Sequence, residues 1–301
     1  MLRFMTQRSR SQIPWPAFFV TVAAGFMVSL DLSIVNVAFP SIRASFPEVS
    51  TASLSWVLAA YSVVFGALLL GAGRIADRSG RRRIFLLGLL TFAVGSLVCG
   101  VAPSAWLLIV GRVVQAAGAA LLMPASLALL LTATPAAARA QAVAMWGGIS
   151  ALAVATGPSL GSVLIDAGGW RSAFFVNLPI ALVAGLAARR LVPESIIGGP
   201  VPDLVGIAML SGAVASVALA ITQGADWGWS SARIVGLFVV AAVLGPVAVR
   251  RSARHRAPAI DLEVLRSRTV ALANAATFLY AVGFADHRGV EQQASPCRSR
   301  S

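Results

Sequence analysis

Residues 27–40, MVSLDLSIVNVAFP, carry one charged group, Asp31, in an otherwise uncharged run. A charge near the centre of a membrane span costs about 2.5–3.5 kcal/mol on translocon scales, so an ionisable residue there is a functional candidate by default. A sheltered carboxylate can gain and lose a proton or attract a cation. A second charge, Arg112, interrupts the apolar run 105–131. If the N-terminus is cytoplasmic, span one ends outside near Pro40, and 1.5 Å per residue puts Asp31 about 13 Å in from that end. Span four starts outside near Ala105, which puts Arg112 about 10 Å in. Opposite charges at similar depth lower the cost of burying both when they pair. Proton binding to Asp31 would change that pairing. On a helical projection Asp31 lies with Met27, Val35 and Ala38, and Ser29, Ser33 and Asn36 form a stripe nearly opposite. Polar groups on two sides suit a helix surrounded by helices, and Ser33 and Asn36 fit interhelical hydrogen bonds.

Two further stretches have spacings that could do work. In GRIADRSGRRRIF, between spans two and three, Gly73 and Gly80 permit close approach and a tight turn. Asp77 can accept from neighbouring Arg side chains or face a helix N-terminus. Arg81–Arg83 alone read as a positive-inside anchor, whereas the ordered Gly, Asp and Gly spacing is more specific. In span five, GGISALAVATGPSLGSVL, Gly157 and Gly161 are one turn apart, as small-xxx-small packing requires. Pro158 removes a backbone donor and is expected to kink the helix.

The elements that must position these residues are long apolar runs: Pro14–Phe39, Ser53–Gly73, Ile84–Ala102, Ala105–Leu131, Gln141–Ile165, Ala173–Leu191, Leu204–Thr222, Ile234–Val249 and Thr269–Ala285. Most exceed the roughly 18 residues at which a membrane-spanning helix becomes the default. The chain is 58% hydrophobic and 12% charged, against about 25% charged in soluble domains. A water-soluble fold could not hide nine such segments. All 24 basic residues are Arg, and the net charge is +13. They concentrate in alternate connections, at Arg74–Arg83, Arg139, Arg189–Arg190 and Arg250–Arg268; the intervening ones hold only Arg43, Arg171 and Arg233. This asymmetry places the N-terminus and the even-numbered connections in the cytoplasm of an inner-membrane protein. Bilayer topology, not nucleic acid, accounts for the charge.

The segment after Arg3, Arg8 and Arg10 is too long for a signal-peptide core and is expected to remain as span one. Cys99 in a span and Cys297 in the tail imply no disulfide framework, and His255 and His287 lie outside the spans. No metal site is therefore expected in the membrane. No P-loop appears and no cofactor is expected. An intramembrane enzyme is disfavoured because no nucleophile–base pair lies within the spans.

Three regions follow: a six-helix bundle over 1–192, two additional helices over 193–252, and 253–301 with a basic linker, one further span and a polar tail. The ninth run has only about 17 residues, the short limit for a span. The tail DHRGVEQQASPCRSRS then places Arg outside, against the charge bias. That favours a frameshifted or truncated end over a natural short tail.

Together these residues resemble the major facilitator superfamily, in particular its fourteen-span drug:proton antiporter branch. The likeness covers about Ala24 to Ala285. LDLSIVNVAFP (Leu30–Pro40) is similar to that branch's first-span motif. GRIADRSGRRRIF (Gly73–Phe85) resembles motif A with Ile75 for Leu, and RVVQAAGAA (Arg112–Ala120) resembles motif B with Ala116 for Gly. GPSLGS (Gly157–Ser162) resembles antiporter motif C with Ser162 for the last Gly, and WRSAFFVNLP (Trp170–Pro179) also fits. The resemblance implies an all-α polytopic fold: an N-terminal six-helix bundle, two linker helices and one further span.

It also implies roles. Asp31 would couple protons or a cationic substrate, with Arg112 assisting proton transfer. Gly73, Asp77, Arg78, Gly80 and Arg81 would form the cytoplasmic gate. Gly157, Pro158 and Gly161 would shape the antiporter hinge, and Asn36 and Gln115 would line the substrate cavity. The implied activity is proton-driven export of small amphipathic compounds through two facing bundles with substrate near the midplane. Five spans of the second bundle are expected to be missing, so the chain alone should not transport. A half-transporter with a separate partner, or an inert truncated product, stays open.

Overall fold

The computed structural model describes residues 13–196, 198 and 203–255, with 258, 267–268, 270–273 and 275–276 beyond them. Helices α1 (Trp15–Ser45), α2 (Thr51–Leu54), α3 (Trp56–Ser79), α4 (Arg81–Gly100) and α5 (Ala105–Ala133) come first. A 3-10 turn, Ala136–Ala138, leads into α6 (Arg139–Gly168), followed by α7 (Ser172–Phe175), α8 (Asn177–Leu191), α9 (Leu204–Trp227) and α10 (Ala232–Ser252). Among the described residues eight helical stretches are long and apolar enough to cross a membrane, with α2–α3 and α7–α8 each counted as one. The chain is an all-α, multi-pass membrane protein. Much of the ninth run, and all of the polar tail, lie outside the described residues.

Helix starts are set by local chemistry. Ser50, Ser104, Asp203 and Ser231 each accept a backbone N–H from three residues on, satisfying a donor that the first turn leaves orphaned. Several helices run past the ends of their apolar runs, as α3 does to Ser79. The first helix does not stop at Phe39 but continues through Pro40 to Ser45. The missing proline donor costs one hydrogen bond near the helix end, and packing outweighs it. Likewise α9 extends to Trp227, so the turn before α10 shrinks to four residues, opened by Gly228 at φ 82°.

Helix α5 is the hub, packed against α4, α3 and α1, while α1 also meets α6 and α8. The α4–α5 seam is close because glycines line it. A Cβ on Gly95 would fall 2.5 Å from the Gln115 amide nitrogen, and one on Gly88 2.9 Å from that of Leu122. Without a hydrophobic drive between helices in lipid, such close backbone packing supplies the association. The hairpin α9–α10 lies against α3. Arg251 on α10 donates to both Asp203 oxygens, at 2.9 and 2.7 Å, tying the hairpin's arginine-rich end. Burial alone would raise the Asp203 pKa, but the Gly206 N–H, the Arg251 bonds and charge, and His255 together hold it below the ordinary value.

Gly88→Ala should therefore destabilise the bundle by about 1–3 kcal/mol, since the atoms in the way are backbone. Gly147, with nothing near its virtual Cβ, is the control: Gly147→Ala should be neutral or slightly stabilising. Thermal unfolding of the purified chain in detergent compares them, and equal midpoints would contradict the close-packed seam.

Candidate functional site

Asp31, Ser96, Arg112, Gln115 and Asn177 come from α1, α4, α5 and α8, and all are buried. Arg112 Nη1 donates to Asp31 Oδ2 at 2.7 Å. The same nitrogen donates to Gln115 Oε1 at 2.7 Å, and Nε donates to the Val57 carbonyl at 3.1 Å. The other carboxylate oxygen, Oδ1, accepts from Gln115 Nε2 at 2.8 Å and Asn177 Nδ2 at 3.0 Å. Both amides also reach Ser96 Oγ, at 2.8 and 3.3 Å. The guanidinium lies 4.0 Å from the centre of the Tyr61 ring on α3, a cation–π contact. Six elements thus converge on one ion pair, since the Phe174 ring of α7 lies 6.0 Å from the guanidinium carbon. A buried pair is tolerable when its remaining polar valences are filled, and here most are. The exceptions, Tyr61 OH and Asn177 Oδ1, are buried with no partner.

The structure brings together the two charges that depth arithmetic set side by side. Gln115 lies inside the cluster instead of lining an open cavity, because it sits one turn from Arg112 on the same helical face. Asn36 is exposed, and its amide donates back to the Leu32 carbonyl at 2.6 Å on its own helix. Sequence reasoning assigned no role to Ser96, Tyr61 or Asn177. For Ser96 and Asn177 the signal was the one Asp31 gave, a polar residue in an apolar run.

At the α3–α4 turn, Gly80 takes φ 103°, a conformation open to glycine. Arg81 donates to Asp77 Oδ1 through Nε at 2.8 Å and Nη2 at 2.7 Å, and Arg81 also bonds Thr132 on α5. Asp77 thus accepts from an Arg side chain; the carboxylate at the α4 N-terminus is Glu194, from the segment after α8. Glu194 accepts the N–H groups of Arg82 and Arg83 at 3.0 and 3.2 Å, satisfying first-turn donors and complementing the helix dipole. A Cβ on Gly80 would meet that carboxylate at 3.0 Å. Glu194, at the start of the 193–252 region, received no role from the sequence. Arg78 is exposed at the end of α3, and Gly73 faces Pro124 on α5.

Pro158 leaves α6 one continuous helix. Its missing N–H frees the Val154 carbonyl, four residues back, and Ser33 Oγ of α1 donates to that oxygen at 2.9 Å. Gly157 lies directly against the Ser33 side chain and Gly161 against Ile34. Gly157 and Gly161 therefore lie on the seam where α6 meets α1, against residues within one turn of Asp31, while Pro158 is exposed. Among the described residues no group of three or more His, Cys, Asp and Glu could hold a metal ion.

The profile of the Major Facilitator Superfamily matches residues 21–285. The multidrug resistance protein Stp of Mycobacterium tuberculosis is 38% identical over 82% of this chain and 46% of its own length. The tetracenomycin C resistance and export protein of Streptomyces glaucescens is 33% identical over 90% of this chain and 51% of its own. A methylenomycin A resistance protein of Streptomyces coelicolor is 32% identical over 90% of this chain and 57% of its own. The chain thus spans about half the length of these relatives. Among solved structures, the POT family transporter PepTSo matches with a TM-score of 0.56 at 16% identity, over 79% of this chain and 52% of that one, a likeness of fold.

The cluster has a measurable energetic signature. Removing one partner of a buried pair strands the other, so Arg112→Met should cost about 3–5 kcal/mol. Asp31→Asn with Arg112→Met should cost less than the sum of the single changes, by about 1–3 kcal/mol. Unfolding of the four proteins in detergent measures the difference; strict additivity would contradict the pairing.

Proposed function

This chain belongs to the Major Facilitator Superfamily, and on that premise we propose that it supplies the proton-coupling bundle of an antiporter that exports small amphipathic compounds, drugs among them, across the inner membrane. The observation that carries this reading is the Asp31 carboxylate, buried in the apolar bundle yet held by Arg112, Gln115 and Asn177. Ion pairs are costly to bury, and intramembrane ones mark ion and proton pathways. The resistance and export proteins among the relatives support the substrate class.

Proton binding at Asp31 turns an acceptor oxygen into a donor and cancels the charge facing Arg112. The guanidinium keeps the Val57 carbonyl, Gln115 Oε1 and the face of Tyr61. Asn177 Oδ1, buried and unpartnered, is the acceptor that the new O–H can reach once the amide rotates. Neutral and ionised states thus favour different arrangements of the same helices, the requirement for a ligand-driven switch. Because the carboxylate is closed off here, a proton or cationic substrate reaches it only when helices part. The α1–α6 seam, where Gly157 and Gly161 pack against Ser33 and Ile34, adjoins Asp31 and is the seam that such a movement would shift. Asp77 and Arg81 hold the gate at the arginine-rich end, which the charge bias sets in the cytoplasm together with the N-terminus.

Helix α6 exposes Leu152, Val154, Leu160 and Val163. A second six-helix bundle would cover this face and complete a cavity between two halves. A half-length match and an open apolar face also favour a second reading, in which a separate chain supplies that bundle. Co-purification of a five- or six-span membrane partner would distinguish it.

The test is pH-gradient-driven drug efflux from vesicles in which this chain is joined to a relative's second bundle. Asp31→Asn should reduce efflux to background when compared with the parent at equal amounts of folded protein in the vesicles. Unchanged efflux would remove Asp31 from the mechanism.

A further inference from the structure

The outward surface between α4 and α8 is a groove of about 580 Å³. Its walls are apolar, with Leu86, Leu90 and Ala93 from α4 and Leu182 and Gly185 from α8; Arg189 is the one polar side chain that lines it. Leu90 and Leu182 are 63% and 64% exposed, so the groove opens away from the bundle rather than into it. Both walls run to the arginine-rich end, where α4 begins and α8 finishes. On α4 the stripe Leu90, Leu87 continues one turn to Arg83; on α8 the stripe Leu182, Gly185 continues one turn to Arg189. The groove therefore has a hydrocarbon floor and a guanidinium at the same end of each wall.

The two cations differ in how they are held. Arg189 makes no hydrogen bond or ion pair among the described residues, and no Asp or Glu lines the groove. The Arg83 side chain is 73% exposed and forms a long ion pair, 3.8 Å, with Glu194, a carboxylate it shares with Arg82 at 3.9 Å and with two backbone N–H groups, so one carboxylate faces two guanidinium groups. Arginines that only anchored topology would point into water with no shaped apolar surface beneath them. Here an exposed trough of about two helical turns, or about 10 Å, ends between two cations.

We propose that this groove binds an anionic glycerophospholipid of the adjacent leaflet. One acyl chain lies along Leu90, Leu182 and Gly185, and the phosphate accepts from Arg83 and Arg189. Guanidinium forks suit phosphate oxygens geometrically. A zwitterionic headgroup would bring its own cation against the two arginines, so the site discriminates by net charge. This inference needs the bundle to lie in a bilayer and is independent of proton coupling or export.

The experiment is native mass spectrometry of the full chain in detergent, titrated with phosphatidylglycerol or phosphatidylcholine of identical acyl chains. Phosphatidylglycerol should bind the more tightly. Arg83→Gln and Arg189→Gln should each weaken it about fivefold, the range for one basic residue near an anionic surface. Gly185→Leu tests the trough without touching charge. The nearest atom to a Cβ there is Leu89 Cδ1 at 3.9 Å, so the new side chain is accommodated and fills the groove. It should abolish the preference with both arginines in place, whereas Arg43→Gln, at the opposite end, should leave it intact. Arg189→Gln alters an exposed, unpartnered residue, so misfolding does not obscure the result. Equal retention of the two lipids, or phosphatidylglycerol binding unchanged in Arg189→Gln or Gly185→Leu, would overturn the proposal.

Discussion

The Asp31–Arg112 contact is the constraint that organises the bundle. Two opposite charges 2.7 Å apart at almost zero exposure are tolerable only if the surrounding helices fill their other valences. That demand fixes which face each helix turns inward. Helix α5 must present Arg112 and Gln115 together, α4 must present Ser96, and α8 must begin with Asn177 at the same depth. Glycines on the α4–α5 seam let the backbones approach closely enough for those short side chains to meet. The polar centre and the close seam are thus one design, since a wider seam would leave Ser96 out of reach of Gln115.

A second network at the arginine-rich end ties the same helices differently. Arg81 joins α4 to Asp77 on α3 and to Thr132 on α5, while Glu194 brings the segment after α8 onto the first turn of α4. Both networks involve α4, α5 and the α8 region. A shift of α8 that loosened Asn177 from Asp31 would also move the segment carrying Glu194. The fifteen-residue helix α8 thus links Asn177, which hydrogen-bonds the central carboxylate, to the segment whose Glu194 caps α4.

Much of this was legible in the sequence, for physical reasons. Hydrocarbon thickness fixes span length, so eight of the nine apolar runs were recognisable as the helices now described. A rise of 1.5 Å per residue converts position to depth, so Asp31 and Arg112 could be set at one level. Depth gives no azimuth, however. Which way α8 turns is decided by packing against α1 and α4, so Asn177 passed without a role although its stretch was noticed. The cavity role of Gln115 came from the family resemblance, which carries a position but not the partners a side chain finds; here those are Arg112, Asp31 and Ser96. Pro40 looked like a stop, yet a proline near the end of a long helix removes only one bond. Glu194 was hidden for a different reason: its partners are backbone N–H groups, which leave no trace in residue types.

The proposed function requires Asp31 to bind and release a proton inside the bundle. Infrared difference spectroscopy of the full chain in detergent, recorded across an acid titration and repeated on Asp31→Asn, tests it most directly. The account predicts that acidification produces the carbonyl stretch of a buried, protonated carboxylic acid, reversible on neutralisation and absent from the Asn variant. A spectrum in which no such band separates the two proteins before the bundle unfolds would contradict it.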